Sequence, residues 1–387
     1  MREKKGKPQK ENVQRFYDYS LLFVIIFLSC FGLVMVYSTS SYTAMLDYGD
    51  SFYFAKRQGI IMLVSFFGML GISKINYHIF PKFAPLAYFL CYVLMILVNY
   101  VPGFGKAVNG KKRWLMIAGR SLFQPSELVK VTIILVMACF IVKVGRKIDK
   151  LLSLFVICVM VVPLAYLVLD NNLSTGIIIL GIAFVMYFVA SRRKAAFAIL
   201  TAAGIALVFA FIELAPKLLE WGILEEYQLS RIVVWQDPES YALTGGHQVL
   251  QGLYAIGSGG LFGKGLGNSI QKLGFVPEAQ NDMIFSIICE ELGLFGAFLV
   301  ILLFSILIWR LMIIANNAPD MTGSLMVTGV LAHIAIQVIF NLAVATNLMP
   351  NTGVSLPFIS SGGSSVVCLM AEIGLVLSVS GQIRLSD

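Results

Sequence analysis

Charge is what this sequence has least of. Of its 387 residues only 13% are Asp, Glu, Lys or Arg, 58% are hydrophobic, and the mean hydropathy is +0.84. Soluble domains carry about 25% charged residues, so a water-soluble globular fold is excluded. Histidine is scarce as well. His78, His247 and His333 fall in three unrelated settings, which leaves no Ser–His–Asp set to assemble. The six cysteines (Cys30, Cys91, Cys139, Cys158, Cys289, Cys368) all lie in apolar runs, and none pairs at metal-ligand spacing. They read as small buried hydrophobes. The apolar runs do not alternate with polar residues, which rules out a transmembrane β-barrel.

What is present is a series of long apolar runs, among them Leu21–Val36, Leu151–Leu169 and Ile177–Ala190. About 20 such residues cross a bilayer as a helix. The chain is therefore expected to be an all-α polytopic membrane protein. About ten transmembrane helices are expected, near 20–38, 58–74, 83–101, 126–143, 150–169, 173–190, 195–214, 283–309, 324–346 and 363–381. The first follows a basic arm, 1–19, and is too long and too uncleavable to be a signal peptide.

An even number of spans puts both termini on one side. Most of the 29 Lys and Arg residues fall on that side: in the arm, at Lys74 and Lys82, around Arg146 and Lys147, at Arg192–Lys194, and at Arg310 and Arg384. The positive-inside rule then makes both termini cytoplasmic. No nucleic-acid partner is expected. The chain reads as one membrane domain, 1–387, with a large extracytoplasmic loop, 215–282, between helices 7 and 8. That loop carries amphipathic and glycine-rich pieces and is expected to fold as short helices on the outer membrane face. A second outer segment, between helices 3 and 4, breaks the charge rule with Lys106, Lys111, Lys112, Arg113 and Arg120.

Ionisable residues at membrane depth are costly, and each is a candidate for function. Asp282 stands at the outer mouth of helix 8, where it is either a helix cap or a reactive carboxylate. Glu290 and Glu291 lie about 12 Å deeper, turned about 80° and 180° away, and read as internal pairs or hydrogen-bond anchors. Glu127 and Lys130 are at i,i+3 in helix 4 and share a face. His333, Gln337 and Asn341 form an i,i+4 stripe in helix 9, of the kind that glues helices together, and Glu372 is ambiguous. The last outer loop, NLMPNTGVSLPFISSGGSS, cannot be helical through Pro350 and Pro357 and is expected to fold into the bundle. Its serines, Ser364 among them, offer hydroxyls there. A general base and cations converging on an outer face suit an anionic lipid-linked substrate with a reacting hydroxyl. On these grounds alone a transporter of such a head group fits almost as well.

Four stretches resemble one family, the SEDS membrane glycosyltransferases of shape, elongation, division and sporulation. They are DYSLLFVIIFLSCFGLVMVYSTSS (18–41), NGKKRWLMIAGRSLFQPSELVK (109–130), GGHQVLQGLYAIGSGGLFGKGLGNSIQKLGFVPEAQNDMIFSIICEELG (245–293) and PNTGVSLPFISSGGSS (350–365). They run in the family's order from end to end, and their form is closer to the FtsW/SpoVE branch than to the RodA branch. The resemblance implies a peptidoglycan glycosyltransferase that polymerises lipid II into β-1,4 glycan strands outside the cytoplasmic membrane, for cell division or sporulation. The growing strand, on undecaprenyl pyrophosphate, would be the donor. The family's essential aspartate maps onto Asp282, its Glu and Lys pair onto Glu127 and Lys130, and its basic-aromatic pair onto Arg113 and Trp114. Lys112 and Arg113 would hold pyrophosphate oxygens. The resemblance further implies a divalent cation, Mg²⁺ or Mn²⁺, at Asp282. One carboxylate makes a poor cage, so substrate phosphates would complete it. It also implies a class B penicillin-binding protein, a transpeptidase, as partner. The sequence departs from the family at Asn281, where Thr is usual, at Met283, where Phe is usual, and at Ser361, where an aromatic is commoner. A lipid II flippase, or a scaffold for the transpeptidase, are the readings held against it.

Overall fold

The computed structural model describes residues 15–108, 111–117, 120–221 and 226–384. The basic arm up to position 14 therefore lies outside the described residues. The long helices are α1 (Tyr19–Tyr48), α2 (Tyr53–Lys74), α3 (Phe80–Tyr100), α4 (Pro125–Val144), α5 (Leu151–Leu169), α6 (Leu173–Ala190) and α7 (Lys194–Glu220). Two short helices follow, α8 (Glu226–Gln236) and α9 (His247–Ser258), then α10 (Ile284–Asn316), α11 (Met321–Ala345) and α12 (Gly363–Ser380). Among the described residues nine of these are long and apolar enough to cross a membrane, and α7 stands where the seventh span was expected. The chain is a multi-pass, all-α membrane protein. The short helices of the long outer loop are α8 and α9.

Local chemistry sets many of the ends. Asp18 accepts from the Leu21 N–H at the start of α1, Asn172 caps α6, and Asp320 caps α11. Pro125 occupies the first turn of α4, where its missing N–H costs nothing. The most buried spans are α12, α11 and α4, which form the core. Their apolar residues are continuous with those of α1, α6 and α10. Gly374 brings α12 close to α2, where a Cβ would lie 2.7 Å from the Met69 carbonyl. The two chain ends meet on one face: β1 (Arg15–Phe16) pairs antiparallel with β5 (Ile383–Arg384). Beside them Arg310 donates to Asp18 at 2.6 Å, tying α10 to the start of α1.

Two features differ from expectation. The basic segment between α3 and α4 is a small antiparallel sheet, β2 (Gly105–Val108), β3 (Lys111–Ile117) and β4 (Arg120–Phe123), in that order. And α10 is not one continuous span. At Gly293 the backbone turns to φ 67, ψ −162, a region open essentially to glycine alone. The break frees backbone groups, and the glycine-rich outer segment replaces the missing partners. Lys264 N–H donates to Glu290 O and Gly265 N–H to Glu291 O, each at 2.9 Å. In return Leu294 N–H donates to Gly260 O at 2.9 Å and Phe295 N–H to Leu261 O at 3.1 Å. Irregular backbone at membrane depth survives only when its polar groups find partners in the protein. Gly263 and Gly293 abut so closely that a side chain on either would meet the other segment's backbone.

Candidate active site

Glu290 and Glu291 complete this splice. Glu290 accepts from Lys264 Nζ at 2.8 Å, from the Ser269 hydroxyl, and from the Ile270 and Gln271 N–H groups at 3.1 and 3.3 Å. Glu291 accepts from Lys272 Nζ and from the Ser38 hydroxyl of α1, each at 2.7 Å. Both carboxylates are fully buried. They anchor the outer loop and present nothing to a substrate. What they hold in place is the segment 264–272, which leads into the turn that carries Asp282.

Asp282 is not the helix cap. Met283 occupies that position, and no side chain caps the helix. The residue is partly exposed where four segments meet. Asn341 of α11 donates through Nδ2 to Asp282 O and to Val354 O, both at 2.8 Å, bracing the turn against the last outer loop. Ser361 N–H donates to Gln280 O at 2.9 Å. Gln248 of α9 approaches Asp282 Oδ1 with its amide nitrogen at 3.5 Å, and its oxygen accepts from Asn351 at 3.0 Å. Arg231 of α8 donates to Asn351 O at 3.0 Å. Burial raises the Asp282 pKa to about 6, helped by the charge of Glu278; nearby N–H groups and Arg231 act in the opposite direction. Sequence reasoning missed Arg231, Gln248 and Asn351. They lie 17 to 120 positions apart along three segments, and no spacing rule links them.

The last outer loop enters the bundle as expected. Leu356, Phe358 and Ile359 are buried, and Gly32 of α1 makes the room, since a Cβ there would lie 2.5 Å from Phe358 O. The α11 stripe holds the loop from below, with Gln337 Nε2 donating to Ser355 O at 3.0 Å. The stripe also joins the pair in α4. Lys130 bonds Glu127 at 3.0 Å and Gln337 Oε1 at 3.3 Å, while His333 bridges Gln337 Oε1 and Glu372, each at 2.8 Å. Lys130 can only donate, so the atom it meets on Gln337 is the oxygen, and His333 Nε2 must donate to it too. All these side chains are buried. The Glu127–Lys130 pair thus sits inside the bundle, linked to the Asp282 turn through Gln337, the last loop and Asn341.

Lys112 and Arg113 lie in β3 over the turn between α5 and α6. Lys112 N–H donates to Asn171 Oδ1 at 3.2 Å and Arg113 Nε to Asn171 O at 2.8 Å. A small crevice there is lined by Lys112, Arg113, Gln124, Ser126, Asn171 and Asn172. Trp114 follows in the same strand, half-buried. Ser364 is buried at the start of α12 and accepts from Gln124 N–H at 3.0 Å. The two polar regions adjoin through α6, whose Ser174 hydroxyl donates to Thr352 O at 3.0 Å, one residue from Gly353 beside Asp282. Among the described residues no group of three or more His, Cys, Asp or Glu side chains is arranged to hold a metal ion. Asp282, with Glu278 nearby, can offer part of such a shell and no more.

A partly exposed carboxylate at the mouth of a helical membrane bundle, with Arg231 nearby, is the candidate site of a multi-pass membrane protein. The chain belongs to the FtsW/RodA/SpoVE family of cell cycle proteins, which it matches over residues 19–385. It is 38% identical to stage V sporulation protein E of Bacillus subtilis (strain 168), covering 94% of this chain and 96% of that one. It is 34% identical to the "probable peptidoglycan glycosyltransferase FtsW" of Geobacter sp. (strain M18), covering 95% and 98%. Its fold matches a chain of a peptidoglycan synthase complex that coordinates polymerization and crosslinking, with a TM-score of 0.74 at 24% identity over 94% and 97% of the two chains. The rod shape determining protein RodA of Thermus thermophilus matches with a TM-score of 0.65 at 25% identity over 96% and 98%.

Proposed function

We propose that this protein is a peptidoglycan glycosyltransferase that polymerises lipid II into β-1,4 glycan strands on the outer face of the cytoplasmic membrane, in division or sporulation. One observation carries the reading. Among the described residues every buried carboxylate faces a base: Asp18 with Arg310, Glu127 with Lys130, Glu290 with Lys264, Glu291 with Lys272 and Glu372 with His333. Asp282 has only an amide at hydrogen-bond distance. A carboxylate held in place by backbone braces and outside any such close pair, with Arg231 acting on it only from further off, suits a general base. It would take the proton of the acceptor sugar 4-hydroxyl as that oxygen attacks the strand's anomeric carbon and undecaprenyl pyrophosphate departs. Lys112 and Arg113, with Trp114 beside them, are placed to meet the pyrophosphate at the adjoining crevice. Glu127 and Lys130 support the site from within. A divalent cation, Mg²⁺ or Mn²⁺, when bound at Asp282 with substrate phosphates, would neutralise charge on the leaving group. The partner is a class B penicillin-binding protein that crosslinks the new strands. On this reading the paired basic ends lie in the cytoplasm.

The test uses purified protein, with and without its cognate transpeptidase, given lipid II and Mg²⁺ or Mn²⁺, with products resolved on a gel. Glycan ladders from wild type and none from Asp282→Asn are expected. No ladder from folded, partner-bound wild type would overturn the reading in favour of transport or scaffolding.

A further inference from the structure

The polar groups around Asp282 are not a random ring. Their donors and acceptors have one consistent direction. Gly353 N–H donates to Asn351 Oδ1 at 3.2 Å, which fixes the Asn351 amide with its nitrogen outward. That nitrogen donates to Gln248 Oε1 at 3.0 Å, which in turn fixes the Gln248 amide. Gln248 Nε2 is left facing Asp282 Oδ1 and Pro277 O, at 3.5 Å from each. Amide orientations in proteins are assigned from such networks, and here every link agrees. We propose that Gln248 is a positioning residue for the transfer reaction: through the Gly353–Asn351–Gln248 relay it engages Oδ1 of Asp282 and leaves Oδ2 as the oxygen that meets the acceptor hydroxyl. This rests on the glycosyltransferase reading above.

Three further observations fit. Gly353 lies beside Oδ2, with a Cβ position 3.9 Å from it, so the relay starts at the residue that neighbours the other oxygen. Gln248 sits in α9, which packs Ala255 against Met283 and Ile287 on the far side of the Asp282 turn, so the amide rides on a rigid element. And α9 belongs to the long outer loop, whereas Asn351 belongs to the last one. The carboxylate is thus aimed only when both loops are seated. The link to Oδ1 is long, as catalytic hydrogen bonds often are before substrate binds.

The test compares Gln248→Met, Gln248→Glu, Asn351→Ala and the Gln248→Met/Asn351→Ala double variant with wild type and Asp282→Asn in the lipid II polymerisation assay, with the transpeptidase bound. Gln248→Met keeps the chain length and removes the amide. A lost hydrogen bond to a charged group predicts a fall in kcat of about tenfold, with KM for lipid II within about twofold. Gln248→Glu still accepts from Asn351 but sets a second carboxylate against Asp282, and is expected to be slower than Gln248→Met. The double variant is expected to be no slower than Gln248→Met alone, because a relay is lost once. Wild-type kcat in Gln248→Met, a loss confined to KM, or a double-variant loss equal to the product of the two singles would each overturn the proposal. If wild type itself makes no strands, the function reading has failed instead. Partner binding and thermal unfolding of Gln248→Glu, whose side chain is the same size as the native one, separate loss of fold from loss of aim.

Discussion

Lys272 is the residue whose loss should loosen the outer loop most. Its Nζ lies 2.7 Å from Glu291 and 3.0 Å from the Ser38 hydroxyl, and its side chain is 6% exposed against 0% for Glu291. In Lys272→Met the carboxylate would keep the Ser38 hydroxyl and the Ser269 N–H at 3.4 Å, but no positive charge. Removing one partner of a buried pair costs about 3–5 kcal/mol, because the other charge is left uncompensated in a low dielectric. At about 1.4 kcal/mol per factor of ten, opening of the 259–272 segment should become roughly a hundredfold to a few thousandfold more frequent. Amide hydrogen exchange of the protein in detergent reads this directly at Ile270, Gln271 and Lys272, whose N–H groups are bonded to Glu290 or Ser269. Adding Glu291→Leu should restore most of the protection, since an apolar pair of similar volume is often neutral or better. Unchanged exchange in Lys272→Met, or a double variant worse than the single, would refute the view that this pair clamps the loop.

Other expectations follow from the same geometry. Polymerisation should fall as pH drops through about 6, where Asp282 regains its proton, and initial rates from pH 5 to 8 would show that limb; a flat profile speaks against Asp282 as base. The same raised value means that the stabilising contribution of the protonated form is complete below about pH 4 and is lost as pH rises through about 6. Gly293→Ala, forced to φ 67 and into the Gly263 backbone, should cost about 3 kcal/mol or more and show as a lowered melting temperature; a neutral result contradicts the splice. Lys130→Met would strand Glu127, whose Oε2 already lacks a partner, at a cost of about 3–5 kcal/mol that Glu127→Gln should partly recover.

Hydropathy located the ten long helices because bilayer thickness imposes a length on each, and length survives in a single sequence. The stripe His333, Gln337, Asn341 was legible for a similar reason: i,i+4 spacing is a local fact, and all three side chains do brace neighbours. The outer features were harder. KKRWLMI (111–117) has no clean alternation, although the Asn–Gly pair at 109–110 is a hairpin signal that could have announced the sheet. The break at Gly293 was hidden because Ile284–Asn316 reads as one apolar run, and its cause lies about thirty residues upstream in Gly260–Gly265. Asp282 stood out as an unpaired charge at a helix mouth. Its true companions did not, because Arg231, Gln248 and Asn351 are ordinary polar residues in outer loops until the fold brings them together.

The splice at Gly293 explains how the reactive carboxylate gets its height. Arg310, paired with Asp18 beside the chain ends, marks the inner boundary of α10. From there to Gly293 is 17 residues, roughly 26 Å at 1.5 Å per residue, nearly the 30 Å of a hydrocarbon core. The side chains around the break agree with that level, since Leu261, Phe262, Leu294 and Phe295 are exposed and apolar as lipid contact requires. Beyond the break the helix runs a further 9 residues to Ile284, roughly 14 Å along its axis, and Asp282 stands just past that end. An ordinary span would have ended near the break. The extra turns are buried in protein on all sides, their carboxylates neutralised by lysines of the loop they support. A helix prolonged beyond the bilayer in this way needs the loop for its own stability, and the loop needs the helix to hold Gln248 against Asp282. Order in the outer layer and the geometry around Asp282 are therefore coupled.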